Sequence, residues 1–290
     1  MAGSSLLAVN NLQANIPTFA PKFNVKFAPH FGMFENSAGK DLVSQLQFMA
    51  DQGFLGLEDN GMLARPQAEQ KKIGETLAKL GMTMGVFVID GGDNWKTSLA
   101  TGKKDFLDNF LKTCKESVEV AKRCGAKWMT VVPGYFERNL PMGIQTGHVI
   151  DAMKKAAAIF EPHGLVMVME PLSDNPDLFL RHSDQTYMIC RAVGSPSCKV
   201  LFDIYHMQRN EGDLIKHIDW AWEEIAYIQI GDNPGRHEPT TGEINYKSIF
   251  KHLHNKGYRG ILGMEHGNFY PGKEGELKLI EAYRASDISL

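Results

Sequence analysis

The chain lacks most of the features that would tie it to a membrane, a nucleic acid or an oxidising compartment. No apolar run reaches the roughly 20 residues a bilayer-spanning helix needs, so no membrane span is expected. Charge of one sign is missing too. There are 31 Lys+Arg against 34 Asp+Glu, a net charge of −3, and the basic residues are scattered. That excludes a surface built to track a phosphate backbone, and no nucleic-acid partner is expected. Cysteine is sparse, and none of Cys114, Cys124, Cys190 and Cys198 sits in a CxxC pair. These read as free thiols acting as small buried hydrophobes, not as a zinc or redox site. A glycine-rich phosphate cradle is also absent, which favours an unphosphorylated substrate.

What is present is an ordinary globular composition, 43% hydrophobic and 22% charged over 290 residues, enough for one large core. Residues 1–23 stand apart, being small and polar with no basic start. They read as an N-terminal extension, either a surface segment or the remnant of an export signal. The expected location is therefore cytoplasmic, with exported or periplasmic as the alternative if this stretch is the tail of a signal. From residue 24 to 290 the pattern alternates. Strand-like runs occur at VKFAPH, FLGLEDN, TMGVFVID, WMTVVPG, LVMVMEP, KVLFDIYH, IAYIQIGD and GILGMEH. Helix-like stretches follow near 40–52, 67–80, 104–124, 146–162, 183–193, 212–222, 246–256 and 273–285. Gly53, Gly81, Gly125, Gly164 and Gly257 follow or end helices, where a left-handed C-cap is expected. Strand and helix in eightfold alternation predict an α/β fold, a single-domain (β/α)8 TIM barrel.

Four of the later runs end in an oxygen-bearing side chain: Glu170, Asp203, Gln229 and Glu265. Alternation along a strand puts Val166, Val168 and Glu170 on one face, as it does Leu201 with Asp203, Tyr227 with Gln229, and Ile261 and Gly263 with Glu265. Each polar residue is thus the last inward position of its strand, at the end where a barrel gathers its chemistry. Three carboxylates cannot share a small pocket without a cation. An all-oxygen donor set suits Mn2+ or Mg2+ better than zinc. His30 and Glu58 end two earlier strands on the inward face and are candidate pocket liners. His206 has the wrong parity to face inward from its strand, so it is expected in the loop beyond, within reach of a substrate hydroxyl. The turn-rich GDNPGRHEP offers Arg236, a rigid fork of donors, with His237 and Glu238 beside it.

The segments LFDIYHMQRNEGD at 201–213, YIQIGDNPGRHEPTTGEINY at 227–246 and GMEHG at 263–267, with Glu170-Pro171, resemble the hydroxypyruvate isomerase group of the xylose-isomerase-like barrels. The resemblance runs over about residues 24–288. It implies that Glu170, Asp203, Gln229 and Glu265 bind the metal, that Glu170 and Glu265 form the catalytic acid/base pair, and that His206 and Arg236 hold substrate. The ketose 3-epimerases, related to that group, carry histidine where Gln229 stands. The chain departs from the pattern after Glu170, where it reads PLSDNPDLFLRH in place of an asparagine and a basic residue. The expected activity is a divalent-metal-dependent isomerase or epimerase of a small ketose or keto-acid, working through an enediolate. Such a protein acts on a small-molecule sugar or keto-acid and is compatible with a homo-oligomer. The alternatives are a metal-dependent polyol dehydratase, a catalytically silent sugar-binding barrel and, more remotely, an abasic-site endonuclease.

Overall fold

The computed structural model describes residues 22–89, 93 and 95–289. Apart from Lys22 and Phe23, the expected extension lies outside the described residues. Phe23 itself is buried against Phe27 and Phe54. The chain runs β1 (Lys26–Ala28), α1 (Glu35–Ala38), α2 (Leu42–Asp51), β2 (Gly56–Leu57), α3 (Gln67–Leu80), β3 (Thr83–Met84), β4 (Val86–Val88), α4 (Lys104–Cys124) and β5 (Trp128–Val131). It continues α5 (Met142–Phe160), β6 (Val166–Met169), α6 (Ser183–Val193), β7 (Cys198–Asp203), α7 (Ile204–Asn210) and α8 (Leu214–Ala221). It closes with β8 (Ile225–Ile230), α9 (Tyr246–Asn255), β9 (Ile261–Met264) and α10 (Gly272–Ser286).

All eight expected strand runs form strands, and all pairings are parallel. The main sheet has the order β1-β9-β8-β7-β6-β5-β4. A β2–β3 pair fills the remaining gap. On one side Glu58 N–H donates to Pro29 O at 2.9 Å, and on the other Asp59 N–H donates to Val86 O at 3.3 Å, so the sheet closes into a TIM barrel. The run at 83–90 is split into β3 and β4 at Gly85, where a side chain would collide with the Tyr227 hydroxyl crossing the interior. Two short helices, α1 and α7, were not foreseen.

The core is divided as strand alternation requires. Inside the barrel, Ala28, Val86, Val166, Val168, Leu201, Tyr227 and Ile261 pack together as a floor. Met167, Met169 and Phe202 point outward into the larger layer beneath the helices. Helix α4 shows how that layer is fed: Phe110, Cys114, Val118 and Ala121 recur at helical spacing and are all buried. Burial of Phe110 and Val118 contributes about 1.5–3 kcal/mol each. The five glycines expected to end helices all have left-handed φ, from 64° at Gly164 to 88° at Gly257. All four cysteines are buried and free. Among the described residues, no helix is long and apolar enough to cross a membrane. The polar mouth above the floor is therefore left to the strand ends.

Candidate active site

Asp203 is the last residue of β7 and also the N-cap of α7. Its Oδ1 accepts from the N–H of Tyr205 at 2.7 Å and of His206 at 3.3 Å. That cap turns the chain from strand to helix without a loop. This corrects the expected loop position of His206. It lies in the first turn of α7, fully buried, and is brought back over the mouth. Its Nε2 stands 3.6 Å from Asp203 Oδ2, 3.8 Å from Asp174 Oδ2 and 3.9 Å from Glu170 Oε1.

Glu170, Asp203 and His206 present donor atoms within 4.8 Å of one another. The hydrogen bonding assigns them different tasks. Ser173 N–H donates into His206 Nδ1 at 3.2 Å, so Nδ1 is an acceptor and the ring proton sits on Nε2. Burial also pushes His206 down from its ordinary value, which keeps the ring neutral. Nε2–H is then a buried donor without a partner, aimed among carboxylates. That suits holding a substrate oxygen better than holding a cation.

The oxygen set has the opposite deficit. Glu170 Oε1 and Gln229 Oε1 are buried and receive no hydrogen bond. Asp203 and Gln229 are register partners on neighbouring strands, and Gln229 lies opposite Gly263, two residues before Glu265 on the same face of β9. Burial, then Glu265 and Asp203, push Glu170 well above the carboxylate range. Burial raises Glu265 to about 7, with Arg236 working against the rise and Asp203 adding to it. Buried carboxylates in this condition need either protons or a cation. Orphaned carboxylate and amide oxygens are the donors a hard divalent ion takes, so the residues fit such an ion.

Arg236 reaches in from the loop after β8. Its Nη2 donates to Glu265 Oε2 at 2.8 Å and to Asp203 Oδ2 at 3.1 Å. Burial opposes the charge, but Asp203, Glu265 and Glu170 hold the guanidinium protonated above its ordinary value. The loop that delivers it is organised by buried Asp232, which accepts from the N–H of Asn233, Gly242 and Ile244. Tyr246 Oη adds a clasp on Gly231. The GEINY motif is thus the frame behind Arg236, whose φ of 54° and stacking on Tyr205 mark a constrained position.

A cavity of about 400 Å3 opens above these groups. Glu170, His206, Arg236 and Glu265 line it, together with two residues the sequence reading missed, Asn60 and Asp174. Trp95, Leu172 and Val132 form an apolar wall. Asn60 Nδ2 donates to Glu265 Oε1 at 2.7 Å, and only the fold brings it there. Asp174 lies in the departing PLSDNP segment, whose position after Glu170 was the available signal. Three expected pocket residues are not on the cavity wall. Glu58 lies beneath it, His30 is bonded to the carbonyls of Phe31 and His266, and half-buried His237 packs edge-on against Phe269.

A family model described as Xylose isomerase-like TIM barrel matches residues 46–285. The hydroxypyruvate isomerase of Escherichia coli (strain K12) is 32% identical over 166 residues, 55% of this chain and 62% of that protein, so the match spans under two thirds of its length. The 2-oxo-tetronate isomerase of Cupriavidus necator is 31% identical over 194 residues, 64% of this chain and 73% of that protein. Among solved structures, an AP endonuclease, family 2, from Brucella melitensis superposes with a TM-score of 0.77 at 25% identity, covering 89% of this chain and 99% of that one.

Proposed function

The chain belongs to the xylose isomerase-like TIM barrel family, and from that premise we propose that it is a divalent-metal-dependent isomerase or epimerase of a small ketose or keto-acid. The observation that carries this reading is the pair of buried, unpartnered oxygens, Glu170 Oε1 and Gln229 Oε1, among further carboxylates at strand ends. Glu170, Asp203, Gln229 and Glu265 would hold the ion, with Mn2+ or Mg2+ favoured by their oxygen chemistry. When bound, the ion would supply Lewis-acid polarisation of a substrate carbonyl.

The remaining steps belong to the chain. Glu170 and Glu265 directly follow β6 and β9, three strands apart, and flank the cavity. One removes the proton from the carbon next to the carbonyl, and the other returns a proton to the neighbouring carbon or to the opposite face. His206 donates its Nε2–H to a substrate oxygen, Asp174 accepts from a hydroxyl, and Arg236 steadies Asp203 and Glu265. The apolar wall of Trp95, Leu172 and Val132 limits water at the reacting carbons. The names of the two isomerase relatives support this reaction class. An endonuclease reading is disfavoured because the cavity lining carries three carboxylates and one arginine that is already paired, a poor receptor for phosphates.

The test is deuterium incorporation from D2O into hydroxypyruvate and a panel of ketoses, followed by NMR with Mg2+-loaded protein. Enzyme-dependent exchange beside the carbonyl, lost after chelation and restored by Mn2+ or Mg2+, is expected. Full exchange by protein shown to be metal-free would overturn the metal assignment.

A further inference from the structure

Glu58 is 1% exposed, and each of its oxygens accepts one hydrogen bond. Tyr227 Oη donates to Oε2 at 2.9 Å and Gln229 Nε2 donates to Oε1 at 2.8 Å. Both donors come from β8, two residues apart and so on one face of the strand. A side chain at Gly263 would collide with Glu58 Oε2, so the barrel keeps that position bare and gives its space to this carboxylate.

The consequence falls on Gln229. Of the two ends of its amide only the nitrogen can donate, and the acceptor facing it selects that end. The oxygen is then the end turned away, and it is the buried atom left without a donor. An amide without such an anchor could present its NH2 group instead, which cannot ligate a cation. We propose that Glu58 is a positioning residue which, locked by Tyr227, turns Gln229 so that its carbonyl oxygen joins Glu170, Asp203 and Glu265 as a metal donor. This rests on the metal reading of those four residues. It parallels the outer partners that fix the orientation of ligating side chains in other metal sites.

The role requires an acceptor at glutamate reach but no charge. If Oε2 carries a proton, the Tyr227 hydroxyl can turn to accept a hydrogen bond from it, leaving Oε1 to accept from Gln229. Two substitutions therefore separate geometry from charge. Glu58→Gln removes the charge and keeps a carbonyl acceptor at the same reach for Gln229, with its NH2 group facing Tyr227 Oη, which can accept as well as donate. Glu58→Asp keeps the charge and withdraws the acceptor by one methylene. The experiment is calorimetric titration of the metal-stripped full chain with Mn2+ alone, with each variant's melting temperature taken in chelator. Glu58→Asp is expected to bind Mn2+ about 10- to 100-fold more weakly, while Glu58→Gln stays close to the starting protein. Equal weakening in both, a greater loss in Glu58→Gln, or no loss in either overturns the proposal. The isosteric Glu58→Gln can overturn it alone, should Glu58→Asp fold poorly. If the unsubstituted protein binds no Mn2+, the metal reading itself falls, which separates that failure from one confined to Glu58.

Discussion

Strands β6 to β9 are four to six residues long and are paired along most of their length, with one register shift between β7 and β8 at Val200/Leu201, whereas β1 to β4 are two or three residues long. The short strands meet one another through a two-residue ladder, the His30–Glu58 bridge and a few backbone hydrogen bonds. All four proposed metal donors ride on or directly follow the long strands. The short side contributes Glu58 and Asn60, which touch the donors Gln229 and Glu265 through hydrogen bonds of 2.8 and 2.7 Å. A one-residue slip would send a donor to the other face of the sheet. Groups that must point inward are therefore carried on the longer-paired strands, and groups that only orient them are supplied from the looser side.

The largest expected effect comes from breaking the donor side. Glu170→Gln or Glu265→Gln should lower the rate of substrate deuterium exchange by about a hundred- to ten-thousand-fold. Circular dichroism should stay unchanged, because a buried carboxylate is exchanged for a neutral group of the same shape. Near-normal exchange in both variants would remove the pair from the mechanism. A smaller effect is expected at the seam between the two sides. Gly263→Ala puts a methyl group against Glu58, and denaturant unfolding should show a loss of about 1–3 kcal/mol from overpacking. Unchanged stability would mean that Glu58 moves freely and anchors nothing.

The smallest effect sharpens the comparison without a change of shape. Folding raises Glu265 from the ordinary 4.5 to about 7, so the folded metal-free protein favours the protonated acid. Its stabilising contribution is complete below about pH 4.5 and is lost as pH rises through about 7. In chelator, the melting temperature should fall across that window by more in the parent protein than in Glu265→Gln. With Mn2+ loaded, the difference between the two slopes should shrink, since the ion replaces the proton. Identical slopes in chelator would show that Glu265 is not the group responsible.

Much of this was legible in the residues. Alternation alone separated Val166 and Val168 from Met167 and Met169, and the two pairs do lie in different core layers. It also placed Glu58 inward. What alternation cannot report is depth, and Glu58 proved to sit under the cavity instead of along its wall. His206 was misplaced because strand parity was carried past Asp203, where a capping carboxylate had already begun a helix. The bare position at Gly85 follows from Tyr227, over a hundred residues away in the chain, and no local pattern carries that. Asn60 was missed for the same reason, being an ordinary loop residue until the barrel closes. Asp174 had a local signal, its place in the departing segment after Glu170, that was not followed.

Asp203 closes one peptide segment and opens the next with a single carboxylate, using Oδ1 for the helix and Oδ2 for Arg236. Loosening of α7 would therefore be felt in the mouth at once, and disorder in the mouth would fray α7. The two form one cooperative unit, and amide exchange at Tyr205 and His206 should slow together when a divalent ion is added. Substitution at this position is correspondingly narrow: asparagine could still cap the turn but would surrender the anion, and glutamate would keep the anion while reaching past the turn.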